Sequence, residues 1–235
     1  MTYESGLRAL EPIDIDIAAG EFVSIVGPSG CGKSTLLRIV ARLLRPSSGT
    51  CERSGDSVAA FVFQEPALLP WLNVAKNAEL LMELEGVPAE QRKLRAADVL
   101  RIVGLSGFER EYPHRLSGGM RMRLSLARAV ALAPRLLLLD EPLAAVDELT
   151  REVLQDELLQ MWSDAGFTAL FVTHNVQEAV YLSSRVLVMS ERPGSLMAAI
   201  DVPFAYPRTP ELRGTAEFAQ LTSTISRMLR ARSGA

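Results

Sequence analysis

Gly27-Pro28-Ser29-Gly30-Cys31-Gly32-Lys33-Ser34 decides the reading of this chain, because its spacing is that of a phosphate-binding loop, G-x-x-x-x-G-K-[ST]. The preceding stretch EFVSIV (21–26) is apolar and β-branched, as in a buried strand. The following stretch TLLRIVARLL (35–44) has helical spacing and is stopped by Pro46-Ser47-Ser48-Gly49. Strand, glycine-rich loop and helix are the context the motif requires. Glycines let the backbone curl so that successive N–H groups point at phosphate oxygens. Lys33 would reach the β- and γ-phosphates and the Ser34 hydroxyl would bind Mg²⁺, with Thr35 next in line on the helix. With only 16 Gly and three Lys in the chain, a chance match has odds of roughly 0.002. Cys31 lies inside the loop, where any small residue could serve, and its thiol reads as a bystander rather than a redox centre.

Working outward, LLLLDEP (136–142) supplies the acid that such a loop needs: Asp140 ends an apolar strand, where parallel sheets place ligand-binding residues. Glu141 follows, and a carboxylate beside the γ-phosphate can orient or deprotonate the attacking water. Further strands are expected at IDIDI (13–17), VAAFVF (58–63), TALFVT (168–173), RVLVMS (185–190) and LMAAID (196–201). Helices are expected within 74–103, broken near Gly86-Val87-Pro88, and at 117–132, 148–164 and 175–183. Strands alternating with helices at both ends predict an α/β fold with a mainly parallel sheet. The helix-only middle predicts an inserted subdomain over about 66–130, dividing a core of about 1–65 and 131–202, with a proline-rich tail (203–235) ending in a helix.

Composition narrows the function. The 235 residues carry 28 acidic and 25 basic side chains, a net charge of −3, which argues against a general nucleic-acid binder. Two cysteines and two histidines are too few for a zinc site or a disulfide framework. No 18-residue stretch reads as a membrane span, and MTYESGLRAL lacks a secretion signal, so a cytoplasmic protein is expected.

Leu116-Ser117-Gly118-Gly119-Met120, about twenty residues before Asp140-Glu141, resembles the signature sequence of the ATP-binding cassette ATPases, and the resemblance covers nearly the whole chain. A Ser and two Gly opening a helix also make an anion cradle. The resemblance implies a P-loop NTPase core with a small, trimmed antiparallel part, and ATP and Mg²⁺ as ligands. Ser117, Gly118 and Gly119 would bind the γ-phosphate held by another copy's loop, in a head-to-tail dimer. It also implies Gln64 as the Q-loop glutamine near the metal and the water, Leu143–Asp147 as the D-loop, and His174 as the switch histidine. Tyr3 aligns with the aromatic that stacks on adenine, and with so little chain ahead of it this contact is expected to be frayed and weak.

QEPALLPWLNV (64–74), THNVQEA (173–179) and SERPG (190–194) resemble the importer branch serving nitrate, sulfonate and taurine. That implies separate membrane-spanning subunits as partners, a solute-binding protein acting indirectly, and a place at the inner face of the cell membrane. Trp71 would face a membrane subunit, or else belong to the core. An exporter ATPase would share the catalytic motifs but lack SERPG, and soluble cassettes acting on DNA or ribosomes usually carry two cassettes or a coiled-coil insertion. A binding-only cassette is disfavoured by Glu141 and His174. Met122 stands where the family usually has Gln, Asn175 where it has Asp, and Leu143-Ala144-Ala145-Val146 where it has Phe-Gly-Ala-Leu.

Overall fold

The computed structural model describes residues 1–53, 58–144 and 146–230. Six strands, β1 (Phe22–Val26), β2 (Ala59–Val62), β3 (Leu136–Asp140), β4 (Thr168–Thr173), β5 (Arg185–Met189) and β6 (Leu196–Asp201), form one sheet in the order β2-β3-β4-β1-β5-β6. Every neighbouring pair is parallel except β5–β6. The helices are α1 (Lys33–Val40), α2 (Val74–Leu84), α3 (Ala89–Ile102), α4 (Gly118–Ala131), α5 (Glu148–Ala165), α6 (Val176–Leu182) and α7 (Ala216–Arg230).

All five residues of β1 and of β3 are buried, the continuous apolar pattern of strands covered on both faces. On one face Phe22, Leu137, Leu139 and Phe171 pack with Leu126 of α4, Leu158 of α5, Val180 of α6 and Ile225 of α7. On the other, Val23, Ile25, Leu138 and Val172 pack with Leu37 and Ile39 of α1. A third apolar cluster joins α2, α3 and α4 through Val74, Met82, Leu100, Leu124 and Ala127. Helix α4 thus serves two clusters, since its Met122 and Leu126 face the sheet. Burial of Met122 explains why an apolar residue is tolerated where a glutamine is usual. The loop before α2 is pinned by the buried Asn77, whose amide donates to the carbonyls of Leu69, Leu72 and Asn73, and by Arg128, which donates to Ala67 O at 2.7 Å.

Two expectations fail. IDIDI (13–17) forms no strand among the described residues. Ile13, Ile15 and Ile17 do turn toward the α1-side cluster, so the alternation sets the faces. Backbone pairing with a neighbour stops just before them, at Leu10, which bridges Gly194, and Glu11, which donates to Gly194 O at 2.8 Å. The N-terminus is also not frayed. Met1 donates its ammonium to Leu10 O at 2.7 Å, Thr2 bridges Arg8, and Tyr3 N–H donates to Leu7 O at 2.9 Å. This closed hairpin pairs the backbone groups of the segment with one another. Residues 54–57, in the stretch where a trimmed antiparallel part is expected, and 231–235 of the tail lie outside the described residues.

The tail holds α6 by its C-terminal end. Arg208, 9% exposed, donates through Nη1 to the carbonyls of Val180, Tyr181 and Ser183, and its guanidinium lies 4.1 Å from the centre of the Tyr206 ring. A cation fits there because the last carbonyls of a helix have no intrahelical donor. Replacing Arg208 by Met leaves these carbonyls buried without that donor, and should lower stability by about 3 kcal/mol in urea unfolding. A loss below about 0.5 kcal/mol would show that the guanidinium is not what satisfies them.

Candidate active site

Register brings the site together. Val26 lies opposite Thr173 and Asp140 opposite Val172, so β1, β3 and β4 end side by side. Gly27, Glu141 and His174 therefore emerge at one edge, the carboxyl end of a parallel sheet. Glu141 closes the β3–β4 ladder by donating its N–H to Val172 O at 2.9 Å, and does so at φ +47°. A left-handed backbone at a non-glycine residue costs on the order of 1 kcal/mol and persists where the surroundings over-determine it.

The loop is shaped by contact at two glycines. Gly32 sits at φ +105°, and a Cβ there would lie 2.5 Å from Leu10 Cδ2. Behind the loop, a Cβ on Gly194 would lie 2.0 Å from Cys31 O, so the SERPG element is a backstop pressed against the loop. The first helix-type bond of α1 is Leu36 N–H to Gly32 O at 2.9 Å. Among the described residues, the N–H groups of Ser34 and Thr35 have no acceptor and that of Lys33 has the Cys31 thiol, which leaves the start of α1 open to an anion. Lys33, 4% exposed, donates Nζ to Gly27 O and Pro28 O, both at 2.9 Å. Burial pushes the Cys31 thiol up, away from the reactive thiolate.

Glu141 is the link between the parts. Its Oε1 lies 4.0 Å from Lys33 Nζ and its Oε2 lies 2.9 Å from His174 Nδ1. His174 remains open, with its side chain 59% exposed. Beside them Ser34 Oγ donates to Asp140 Oδ1 at 2.8 Å. Burial pushes the Asp140 carboxyl above the usual carboxylate range, opposed by the Ser34 hydroxyl and more weakly by Arg38 and Lys33. A divalent cation would favour the ionised form of that carboxyl. Among the described residues no three His, Cys, Asp or Glu side chains converge on a metal, so Mg²⁺ at this pair would need phosphate and water oxygens to fill its octahedron. Tyr3 shares a 2.9 Å hydrogen bond between its hydroxyl and Thr35 Oγ1, and so borders the loop.

Other residues singled out by sequence stand apart from this group. Gln64 is exposed beyond the end of β2. Asp147 caps α5, accepting from Thr150 N–H at 3.0 Å, and that bond holds its carboxyl below the usual range. Ala145, inside the expected D-loop, lies outside the described residues. Ser117 caps α4, accepting from Met120 N–H at 3.2 Å, while a Cβ on Gly118 or Gly119 would meet nothing within 4 Å. No hydrogen bond or ion pair among the described residues joins Gln64, Asp147 or the 117–119 turn to the Lys33–Glu141–His174 group. Asn175 caps α6 by accepting from the N–H groups of Gln177 and Glu178, which shows how the amide does the capping work of an aspartate. Sequence reasoning missed the half-buried Arg151 and the buried Glu178, a pair behind His174 with Nε 3.4 Å from Oε1. Glu178 is visible within THNVQEA, but its partner on α5 carries no sequence signal.

Comparison with known proteins agrees with this geometry. The family model described as ABC transporter matches residues 10–144. The chain is similar to the aliphatic sulfonates import ATP-binding protein SsuB 1 of Mesorhizobium japonicum, 48% identical over 221 residues, covering 92% of this chain and 81% of that one. It is similar to the taurine import ATP-binding protein TauB of Yersinia pestis bv. Antiqua, 43% identical, covering 85% of this chain and 80% of that one. Among solved structures, the dimeric post-hydrolysis state of the ATP-binding cassette MJ0796 bound to ADP and Pi superposes with a TM-score of 0.74 at 31% identity, covering 84% of this chain and 92% of that one. A phosphate loop, an acidic strand end and a histidine at one sheet edge, on a chain matched this far along its length, place it in the ABC transporter family as an ATP-hydrolysing cassette.

Proposed function

We propose that this chain energises uptake of small sulfonates, of the taurine and aliphatic sulfonate kind, through separate membrane subunits at the inner face of the cell membrane. The solute class rests on the likeness to the two import proteins and on the SERPG and LLPW stretches. No helix among the described residues is long and apolar enough to cross a membrane, so the membrane passage falls to partners. Trp71, 69% exposed, and the pinned loop around it give the membrane subunits a surface to grip. A solute-binding protein would deliver the sulfonate from outside.

The observation that carries the catalytic reading is Glu141 held between Lys33 and His174. Free N–H groups at the start of α1 and the Lys33 ammonium bind the ATP phosphates. Tyr3 borders the loop and stacks on adenine. Ser34 and Asp140 would hold Mg²⁺, which would offset phosphate charge, and Gln64, in the loop after β2, would join them once the site closes. Glu141 takes the proton of the attacking water as general base, and His174 fixes the carboxylate and faces the γ-phosphate. The open Ser117–Gly119 turn has room for a second copy's γ-phosphate, so two copies lie head to tail and Asp147 sits at their boundary. Residues 66–130, built around their own apolar cluster, would move as a subdomain and pass closure to the membrane partner through the Gln64 loop.

Lys33→Ala should lower ATP turnover at least about a hundredfold, because it deletes the charge on the β- and γ-phosphates. Unchanged turnover in a phosphate-release assay would sink the assignment. Glu141→Gln should keep ATP binding, lose turnover, and elute as a dimer in size exclusion only when ATP is present. A variant that stays monomeric at saturating ATP would contradict the shared site. Because the N-terminal hairpin holds Tyr3 in place, Tyr3→Ala should raise the Kd for ATP about fivefold, the weight of one stacking contact. An unchanged Kd by titration would remove Tyr3 from the adenine site.

A further inference from the structure

Behind His174 lies a polar chain, buried at Thr173 and Glu178 and half-buried at Arg151, that the proposed hydrolysis does not use. Glu178, on the first turn of α6, is 4% exposed. Its Oε2 accepts from Thr173 Oγ1 at 2.5 Å, and the same hydroxyl accepts from Asn175 N–H at 3.0 Å. These two bonds bracket His174 on both sides. On the far side, Glu178 Oε1 lies 3.4 Å from Nε of Arg151 on α5. Arg151 reaches back to the loop that follows Glu141, donating Nη2 to Val146 O at 2.7 Å and Nε to Leu143 O at 3.3 Å.

We infer that Arg151 and Glu178 are positioning residues that tie the backbone of the loop before Asp147 to the place of His174, so that hydrolysis depends on how that loop is held. The inference rests on the ATPase reading and on a second copy bordering Asp147. Each link has a physical reason. Burial disfavours a charged Glu178 carboxyl and pushes it up, while the Thr173 hydroxyl and Arg151 oppose that shift, so the carboxylate is anchored by its two partners and not by water. The guanidinium is a rigid fork whose Nε and Nη2 serve acceptors set apart from one another, a spread that the single nitrogen of a lysine does not reproduce. When a second copy shifts the 143–147 loop, the Val146 and Leu143 carbonyls move the fork. The fork moves Glu178, and Glu178 moves the Thr173–Asn175 turn that carries His174. Free loop and free histidine are then not independent states.

The test uses the full-length protein with four variants: Arg151→Met, Glu178→Gln, the double variant, and Arg151→Lys. The expected result is a fall in kcat of about tenfold in each single variant with KM for ATP within about twofold, since the phosphate loop is untouched. The double variant should lose no more than the worse single, because both break one chain. Arg151→Lys keeps a charge beside Glu178 and so keeps the fold, yet should lose most of the kcat. The chain has only two histidines, His114 and His174, so imidazole NMR reads the position directly. The His174 signals should move in all four variants and those of His114 should not. Independent, additive losses in kcat, a full wild-type kcat in Arg151→Lys, or unmoved His174 signals would each overturn the inference. If wild type itself turned over no ATP, the ATPase reading and this inference would fall together; additive losses beside an active wild type would overturn this inference alone.

Discussion

The pairing of β3 with β4 ends on Asp140 opposite Val172, and the site depends on that last rung. The Glu141 N–H to Val172 O bond, 2.9 Å, closes the pair, and Glu141 leaves the strand in left-handed backbone. Without the rung, a glutamate at φ +47° would relax toward an extended or helical geometry and its carboxylate would leave the gap between Lys33 and His174. The strain is local and is offset by the cooperative parallel ladder behind it. A buried five-residue strand with partners on both sides is a stiff mount for a side chain at its end.

Charge at this edge is balanced tightly in the free chain. The Lys33 ammonium rests on two loop carbonyls within reach of Glu141, and the Ser34 hydroxyl supports an Asp140 carboxyl that burial makes reluctant to ionise. Phosphate oxygens would replace the carbonyls as partners of Lys33, and a cation would favour an ionised Asp140. The site is thus arranged for ligand charges that the protein itself does not supply, while the anion-ready turn at Ser117 stands on another part of the surface. The family resemblance expects a second copy to bring such a turn to this edge, and a solved cassette similar in fold is dimeric.

Local chemistry made the fold legible in the sequence, and non-local contacts hid the rest. Phe22–Val26 and Leu136–Asp140 read as buried strands because both faces are covered, and Ser117 read as a helix start because its hydroxyl caps one. IDIDI (13–17) misled, since alternation reports which side chains face inward and not whether a neighbouring backbone is there to pair. The ordering of the segment around Tyr3 is hidden for the opposite reason: a hairpin closing Met1 on Leu10 has no pattern of its own. Within the site, Lys33, Ser34, Asp140 and Glu141 announce themselves by motif. Arg151 and Arg208 do not, because their partners are backbone carbonyls, which every sequence has.

The central claim is that this edge is one half of a site whose other half is the Ser117–Gly119 turn of a second copy. Amide hydrogen exchange on the Glu141→Gln protein, with and without ATP and across protein concentration, tests it most directly. ATP should slow exchange in peptides covering 27–35 at every concentration, and in peptides covering 117–120 only as protein concentration rises. Protection confined to the 27–35 peptides at all concentrations would contradict it.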